Sequence, residues 1–244
     1  YDFLQYEVLN KLYVSTGTRY SRADYEFHQR NVVVNASQTP DKWVNSGGLK
    51  YEYAKGSNLH FGWQQTFRFL ATDEWYSTAN FPAFGITPGL NLDLKQQYGV
   101  QYEAGIKHNF ADKIIVGLTP YLLINSNEIF FDPVTFGNSN YDKTRRAGIE
   151  FDQRVDLLKF ININFLDKLD LVTSYTYQNA HFDKGANDGK EIPMVPMHEA
   201  SQTLSARFLK YYDVSFAGKF VGSQFAINDV QNATGRNKPY EIVD

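Results

Sequence analysis

Gln97-Tyr-Gly-Val-Gln-Tyr-Glu-Ala-Gly-Ile-Lys-His-Asn-Phe110 is the stretch that decides the fold. Tyr98, Val100, Tyr102, Ala104, Ile106 and Phe110 take one face. Gln97, Gly99, Gln101, Glu103, Gly105, Lys107 and Asn109 take the other. Successive side chains of a β-strand point to opposite sides of the sheet, so this period of two predicts a strand with one apolar and one polar face. The fault is His108, which stands on the apolar face near the end of the run.

The same period spreads in both directions. Leu59, Phe61, Trp63, Phe67 and Phe69 oppose His60, Gly62, Gln64, Thr66 and Arg68, with Gln65 interrupting the apolar row. Ala147, Ile149, Phe151, Val155 and Leu157 oppose Gly148, Glu150, Asp152, Arg154 and Asp156. Leu169, Leu171, Tyr175 and Tyr177 oppose Asp170, Ser174, Thr176 and Gln178, and Leu204, Ala206 and Phe208 oppose Thr203, Ser205 and Arg207. The connections alternate in length. Short turns are expected at Leu9–Lys11, Ala54–Asn58, Phe110–Lys113 and Lys210–Asp213, with an intermediate one at about Lys159–Lys168. Long polar or Gly/Pro-rich connections are expected at Tyr25–Val44, Ala71–Leu94, Asp132–Lys143 and Asp183–Glu199. Roughly ten strands, joined by short turns at one end and long loops at the other, make the pattern of an antiparallel transmembrane β-barrel.

Composition agrees with that reading. Aromatic residues are 16% of the 244, yet the mean hydropathy is negative, as expected when only every second residue is apolar. No stretch approaches the roughly 18 consecutive apolar residues of a membrane helix. A soluble β-sandwich also alternates. Against it stand the length of the runs, the charges of both signs on the polar face and the aromatics near strand ends, such as Trp63, Phe67, Phe69, Trp75 and Tyr76, which suit interfacial girdles. The net charge of -3 points to no nucleic-acid partner. With no cysteine there is no disulfide framework and no thiolate site. Tyr1–Val8 and Lys238–Asp244 both read as strand, and the residues from Tyr1 carry no basic n-region or apolar h-region, as expected if a signal peptide has been removed or the chain starts mid-protein. Both ends are therefore expected to be cuts through a larger barrel, because an open sheet edge in lipid leaves backbone groups unpaired.

Several motifs in order resemble the TonB-dependent outer-membrane receptors. Leu94-Lys-Gln-Gln-Tyr-Gly-Val-Gln-Tyr-Glu-Ala-Gly-Ile-Lys107 is similar to one of that family's strands. A turn and a strand ending Asn125-Ser-Asn-Glu-Ile129 follow, then Asn140-Tyr-Asp-Lys-Thr-Arg-Arg-Ala-Gly-Ile-Glu150. Ser174-Tyr-Thr-Tyr177, Ile192-Pro-Met-Val-Pro-Met-His198 and Lys238-Pro-Tyr-Glu-Ile-Val-Asp244 complete the series. Gln96 and Gln97 stand where the family usually has an acidic residue after proline, and Met197 replaces a commonly basic residue. The resemblance implies a bacterial outer-membrane barrel of about 22 strands filled by an N-terminal plug. It implies active uptake of a scarce chelate (a ferric siderophore, cobalamin or haem), with energy from a TonB protein acting through the plug. On that pattern residues 1–244 are one partial barrel domain in outer-membrane lipid, and the plug and terminal strands lie outside this chain.

No catalytic constellation, phosphate loop or spaced metal-ligand run stands out, so neither an enzyme nor a cofactor is expected. Met194, Met197 and His198 could be soft metal ligands, but a proline-punctuated loop entering a strand explains them as well. Parity places Arg68, Glu103, Lys107, Glu150, Asp152 and Arg154 on the polar face, as a charge ladder facing lumenal water or a plug. Two groups are candidates for ligand contact: Trp75, Tyr76, Phe81 and Phe84 in one long loop, and Tyr141, Arg145 and Arg146 near another. Aromatics supply contact area and arginine binds carboxylate or phosphate bidentately; the same aromatics would equally serve a girdle or loop packing. A passive porin, or a soluble ligand-binding β-domain, fits the residues without the resemblance.

Overall fold

The computed structural model describes residues 2–29, 34–77, 83, 85, 89–132, 136–227 and 229–244. Its strands are β1 (Asp2–Leu9), β2 (Leu12–Arg22), β3 (Tyr25–Gln29), β4 (Val34–Gln38), β5 (Asp41–Ala54), β6 (Ser57–Arg68), β7 (Tyr76–Ser77), β8 (Gly89–Leu90), β9 (Gln97–Phe110), β10 (Ile114–Asp132), β11 (Gly137–Asp156), β12 (Leu166–Lys184), β13 (His198–Phe208), β14 (Tyr212–Val221) and β15 (Tyr240–Val243). Eleven of them form one sheet in the order β1-β2-β5-β6-β9-β10-β11-β12-β13-β14-β15. Each pair is antiparallel, so the sheet is an up-and-down meander. The ribbons β3–β4 and β7–β8 stand within two of the long connections.

Register fixes the two faces. Gly62, Glu103, Tyr121, Gly148 and Gln178 are direct cross-strand partners in sequence across β6 to β12, so they share the polar face. One residue along, Phe61, Ala104, Ile149 and Tyr177 share the other. That apolar face is bare: Leu49 is 48% exposed and Phe61 45%, with Ile106, Leu118, Ile149 and Phe216 similarly open. A soluble sandwich would bury such a row against a second sheet. Among the described residues the buried apolar clusters lie instead under the long loops. Lipid satisfies a face of this kind, because about 25 cal/mol is lost for every Å² of apolar surface left in water.

The apolar row of β10 gives the height of that band. Ile114, Val116, Leu118, Pro120, Leu122 and Ile124 precede Ser126 on one face. At roughly 3.4 Å per residue and a tilt of about 40°, Ile114 to Ile124 rises about 25 Å, the apolar height of an outer-membrane barrel. The strand then continues to Asp132. Here the sequence reading needs correction. Of the long loop expected at Asp132–Lys143, residues 137–143 are strand, since β10 and β11 pair as far as Asp132↔Gly137. Their polar alternation beyond Ile124 resembles a loop in composition, but the ladder persists outside the membrane.

The polar residues that interrupt the apolar face have partners. The His108 ring lies 2.8 Å from the Tyr53 hydroxyl through Nδ1 and packs edge-on against Phe110, forming a girdle at the short-turn end. His198 meets the Tyr175 hydroxyl in the same way at the long-loop end. Gln65 stands where the β5–β6 ladder has stopped at Ser46↔Gln64. Its Oε1 accepts the Asn45 backbone N–H at 3.0 Å, satisfying a donor that would otherwise be unpaired.

Candidate functional site

Alternation carries polar side chains onto one wall, and register assembles them. Glu103 pairs across from Tyr121 and Gly62, Glu150 from Thr119 and Thr176, and Lys107 and Asp152 flank Gly117 from opposite sides. Gln64 donates to Gln101 at 3.2 Å, and Gln101 donates to Glu103 at 3.2 Å. Ser174 donates to Asp152 at 2.9 Å, and Arg154 to Asp170 at 2.6 Å. Glycines let larger neighbours lie flat on the wall. At Gly148 an added Cβ would lie 2.8 Å from the Tyr121 ring, which lies over the vacant position. A groove of about 370 Å³ runs along this face, lined by Gln5, Ser15, Gly48, His60, Gly62 and Glu103 among others.

The structure thus brings Glu103, Lys107, Glu150, Asp152 and Arg154 together on one face. Arg68 shares the parity, pairing with Gln97, but its guanidinium is taken by Glu74 of the following connection at 2.7 and 2.8 Å. Arg68 therefore anchors a loop. Glu74 also accepts the Ala71 N–H, and its own carbonyl accepts from the Asn138 amide.

Two packed assemblies occupy the long-loop end. In the first, Phe27, Leu70, Trp75 and Leu94 form a small core, with Tyr25, Leu90 and Ile129 against it. The Tyr25 hydroxyl donates to the Leu70 carbonyl at 2.7 Å. In the second, Ala180, Phe182 and Ile192 pack with Tyr141, Val195 and Val230. Glu191 and Arg236 pair across it, and Asn232 holds the Glu191 backbone N–H and carbonyl at 2.7 and 3.0 Å. Both assemblies rest on the β10–β11 extension, where Phe130 stacks on Tyr141 with ring centroids 3.8 Å apart.

The candidate ligand contacts separate on this scaffold. Trp75 is 2% exposed and fills the first core, so it has no surface to offer a ligand. Tyr76 is partly exposed beside it in β7. Phe81 and Phe84 lie outside the described residues. Tyr141 is sandwiched between Phe130 and Phe182; burial, with Glu128 and Asp132 nearby, pushes its hydroxyl up to about 12, so it stays a neutral donor. Arg145 and Arg146 are adjacent in β11 and therefore point to opposite faces. Arg145 aligns with Ile124 at the top of the apolar band. Arg146 is engaged by a carboxylate that the sequence reading missed.

That carboxylate is Glu128, beyond the membrane band. Arg146 donates to it twice, at 2.6 and 2.9 Å, and the fully buried Thr144 hydroxyl donates at 2.5 Å. Asn127, with φ of 55°, bends the strand just before it. Past that bend Glu128 reaches the face of Thr144 and Arg146, which simple alternation would deny it. Burial raises its pKa, but the bonds from Arg146 and Thr144 outweigh burial and hold it below the usual carboxylate range. The Asn preceding Glu128 was the only signal in the sequence, since asparagine tolerates the left-handed region better than most residues.

The TonB dependent receptor-like β-barrel model matches residues 1–244. No curated protein matches the chain. Among solved structures, the ferric yersiniabactin uptake receptor FyuA of Yersinia pestis aligns over 99% of this chain and 36% of its own, with 14% identity and a TM-score of 0.71. The copper transporter OprC aligns over 99% and 37%, at 16% identity and 0.71. The ferric-catecholate import receptor Fiu of E. coli K12 aligns over 99% and 36%, at 17% identity and 0.67. The chain thus spans a little over a third of the length of these receptors. Their family is one of outer-membrane transport receptors, and at these identities the structures speak for the fold alone. With a match along its whole length, a bare apolar face and a charged opposite wall, this chain belongs to the TonB-dependent receptor β-barrel family.

Proposed function

We propose that this chain is the wall and outer vestibule of a receptor for active uptake of a ferric chelate, powered by TonB through a plug domain that fills the lumen. The carrying observation is the two-signed polar wall of Glu103, Lys107, Glu150, Asp152 and Arg154, continuous across β9 to β11 beneath two packed loop assemblies. A plug with its own charged surface is the natural occupant of such a wall. The roofing loops suit capture of a solute that cannot be admitted by size alone. Among proteins of like fold, Fiu and FyuA are named for ferric chelates and OprC for copper.

Two measurements test this reading. Cells producing the full polypeptide, starved of iron and offered radiolabelled ferric chelates one at a time, are expected to accumulate one class, and a protonophore is expected to stop accumulation. Accumulation that continues after the gradient has collapsed sinks active transport and leaves a passive channel. The face assignment is tested by cysteine substitution. E103C and E150C are expected to react with water-soluble maleimides, and I106C and I149C with lipid-phase reagents; the reverse pattern overturns it.

A further inference from the structure

The sheet has a slit. β2 and β5 stay paired up to Arg22↔Asp41, and β6 and β9 up to Arg68↔Gln97. Between them, the β5–β6 ladder ends at Ser46↔Gln64. Asp41–Asn45 on one lip and Gln65–Arg68 on the other therefore face each other without backbone pairing. A cavity of about 360 Å³ lies there, lined by Arg19, Val44, Asn45, Gln64, Gln65 and Phe67 among others. An unpaired backbone cannot stand in hydrocarbon. The slit opens at the level of the upper aromatic girdle, where Tyr20 and Trp43 pack 4.9 Å apart and Trp43 is 61% exposed.

Two cations reach across the slit. Register puts Arg19 and Lys42 on the polar-face rows of β2 and β5. Yet the Arg19 guanidinium lies 4.6 Å from the centroid of the Phe67 ring, and Lys42 Nζ lies 4.9 Å from that of Tyr98. Phe67 and Tyr98 are direct cross-strand partners on the apolar face. The two cations are thus held over neighbouring rings, near one another. Neither has a carboxylate partner among the described residues, whereas nearby Arg22, Lys50 and Arg68 are each paired with one. Two like charges gathered on apolar rings at a membrane interface repel each other unless an anion lies between them. The Asn45 side-chain amide, at the same mouth, makes only a long 3.4 Å contact to Gln65.

We infer that the β5–β6 slit binds the phosphorylated headgroup of an outer-leaflet lipid, its phosphate bridging Arg19 and Lys42 beside Tyr20 and Trp43 and its acyl chains running down the bare apolar face past Leu49 and Phe61. The inference rests on the outer-membrane reading of the chain. Phosphate accepts from guanidinium and ammonium together, and the exposed girdle supplies the apolar surface that a free anion would not use. The lipid closes the gap that the strands leave, sealing the wall from outside.

The test uses the full polypeptide purified in neutral detergent and native mass spectrometry. Bis-phosphorylated lipid A, dephosphorylated lipid A and inorganic phosphate are offered separately. Wild-type protein is expected to retain bis-phosphorylated lipid A at least tenfold better than either other ligand. The double variant R19Q/K42Q is expected to lose that tenfold preference, and R19K/K42R to keep most of it. Equal retention by wild type and R19Q/K42Q overturns the site, and equal binding of inorganic phosphate overturns the lipid as its occupant. The heat-modifiable gel band reports folding; should R19Q/K42Q lack it, R19Q and K42Q singly are each expected to lose about threefold, and no loss in either overturns the site. Failure of the outer-membrane reading would show separately, as absence from the outer-membrane fraction.

Discussion

Glu128→Ala is expected to destabilise the folded barrel by about 3 kcal/mol, the low end of the cost of removing one partner from a buried ion pair. The substitution would leave the Arg146 guanidinium, largely shielded from water, without its carboxylate. It would also leave the O–H of Thr144, which has no exposed surface, without its acceptor, while the hydroxyl oxygen keeps only the 3.3 Å bond from Arg146. Guanidinium chloride titration of the refolded protein in micelles reads the effect as a lowered midpoint. Replacing both partners, as in E128L/R146L, is expected to restore much of the loss, because well-packed apolar groups often match a buried pair. A midpoint for E128A equal to that of wild type would show that the pair is solvated. The pH dependence has a definite sign. The folded pKa of Glu128 is depressed below its ordinary value of 4.5. Its contribution is therefore complete above about pH 4.5 and disappears as pH falls through the folded value. Acid should bring wild type toward E128A and leave E128A itself less affected.

Trp75→Ala is expected to open the first loop assembly at a local cost of about 3–5 kcal/mol, the range for removing a buried aromatic. Trp75 holds Tyr25 and Phe27 of one ribbon, with ring centroids 6.0 and 5.4 Å away, against Leu70 and Leu94 of the next connection. Amide hydrogen exchange is the suitable measurement, since the main sheet will stay folded. Protection in β3, β4 and β8 is expected to fall by two orders of magnitude or more, as about 3 kcal/mol implies. Uptake should fall with it. Trp75→Phe should retain most of both, because the indole N–H has no partner among the described residues and the phenyl ring keeps the packing. Lost uptake with unchanged protection in W75A would instead make Trp75 a ligand contact.

These two residues show where sequence reading stops. Alternation was enough to place Glu103 and Ile106 on opposite faces of β9, because pleating alone decides side. It carries no information about height, so the polar residues 137–143 read as loop when they are strand above the membrane. It also fails at a backbone bend: past Asn127, Glu128 leaves the face that counting assigns it. Trp75 failed for another reason. A tryptophan in a long connection looks the same in sequence whether it faces solvent or fills a core, and only the arrival of β3 from elsewhere in the chain buries it. Gln65 and His108, which looked like errors in a pattern, bond to Asn45 and Tyr53.

The β10–β11 hairpin contributes Ile129 to one loop core and Tyr141 to the other. It therefore serves as a common beam. The two assemblies thus share one foundation, the first through Ile129 and the second through Tyr141, and a change in the pairing of that hairpin would reach both sides of the mouth.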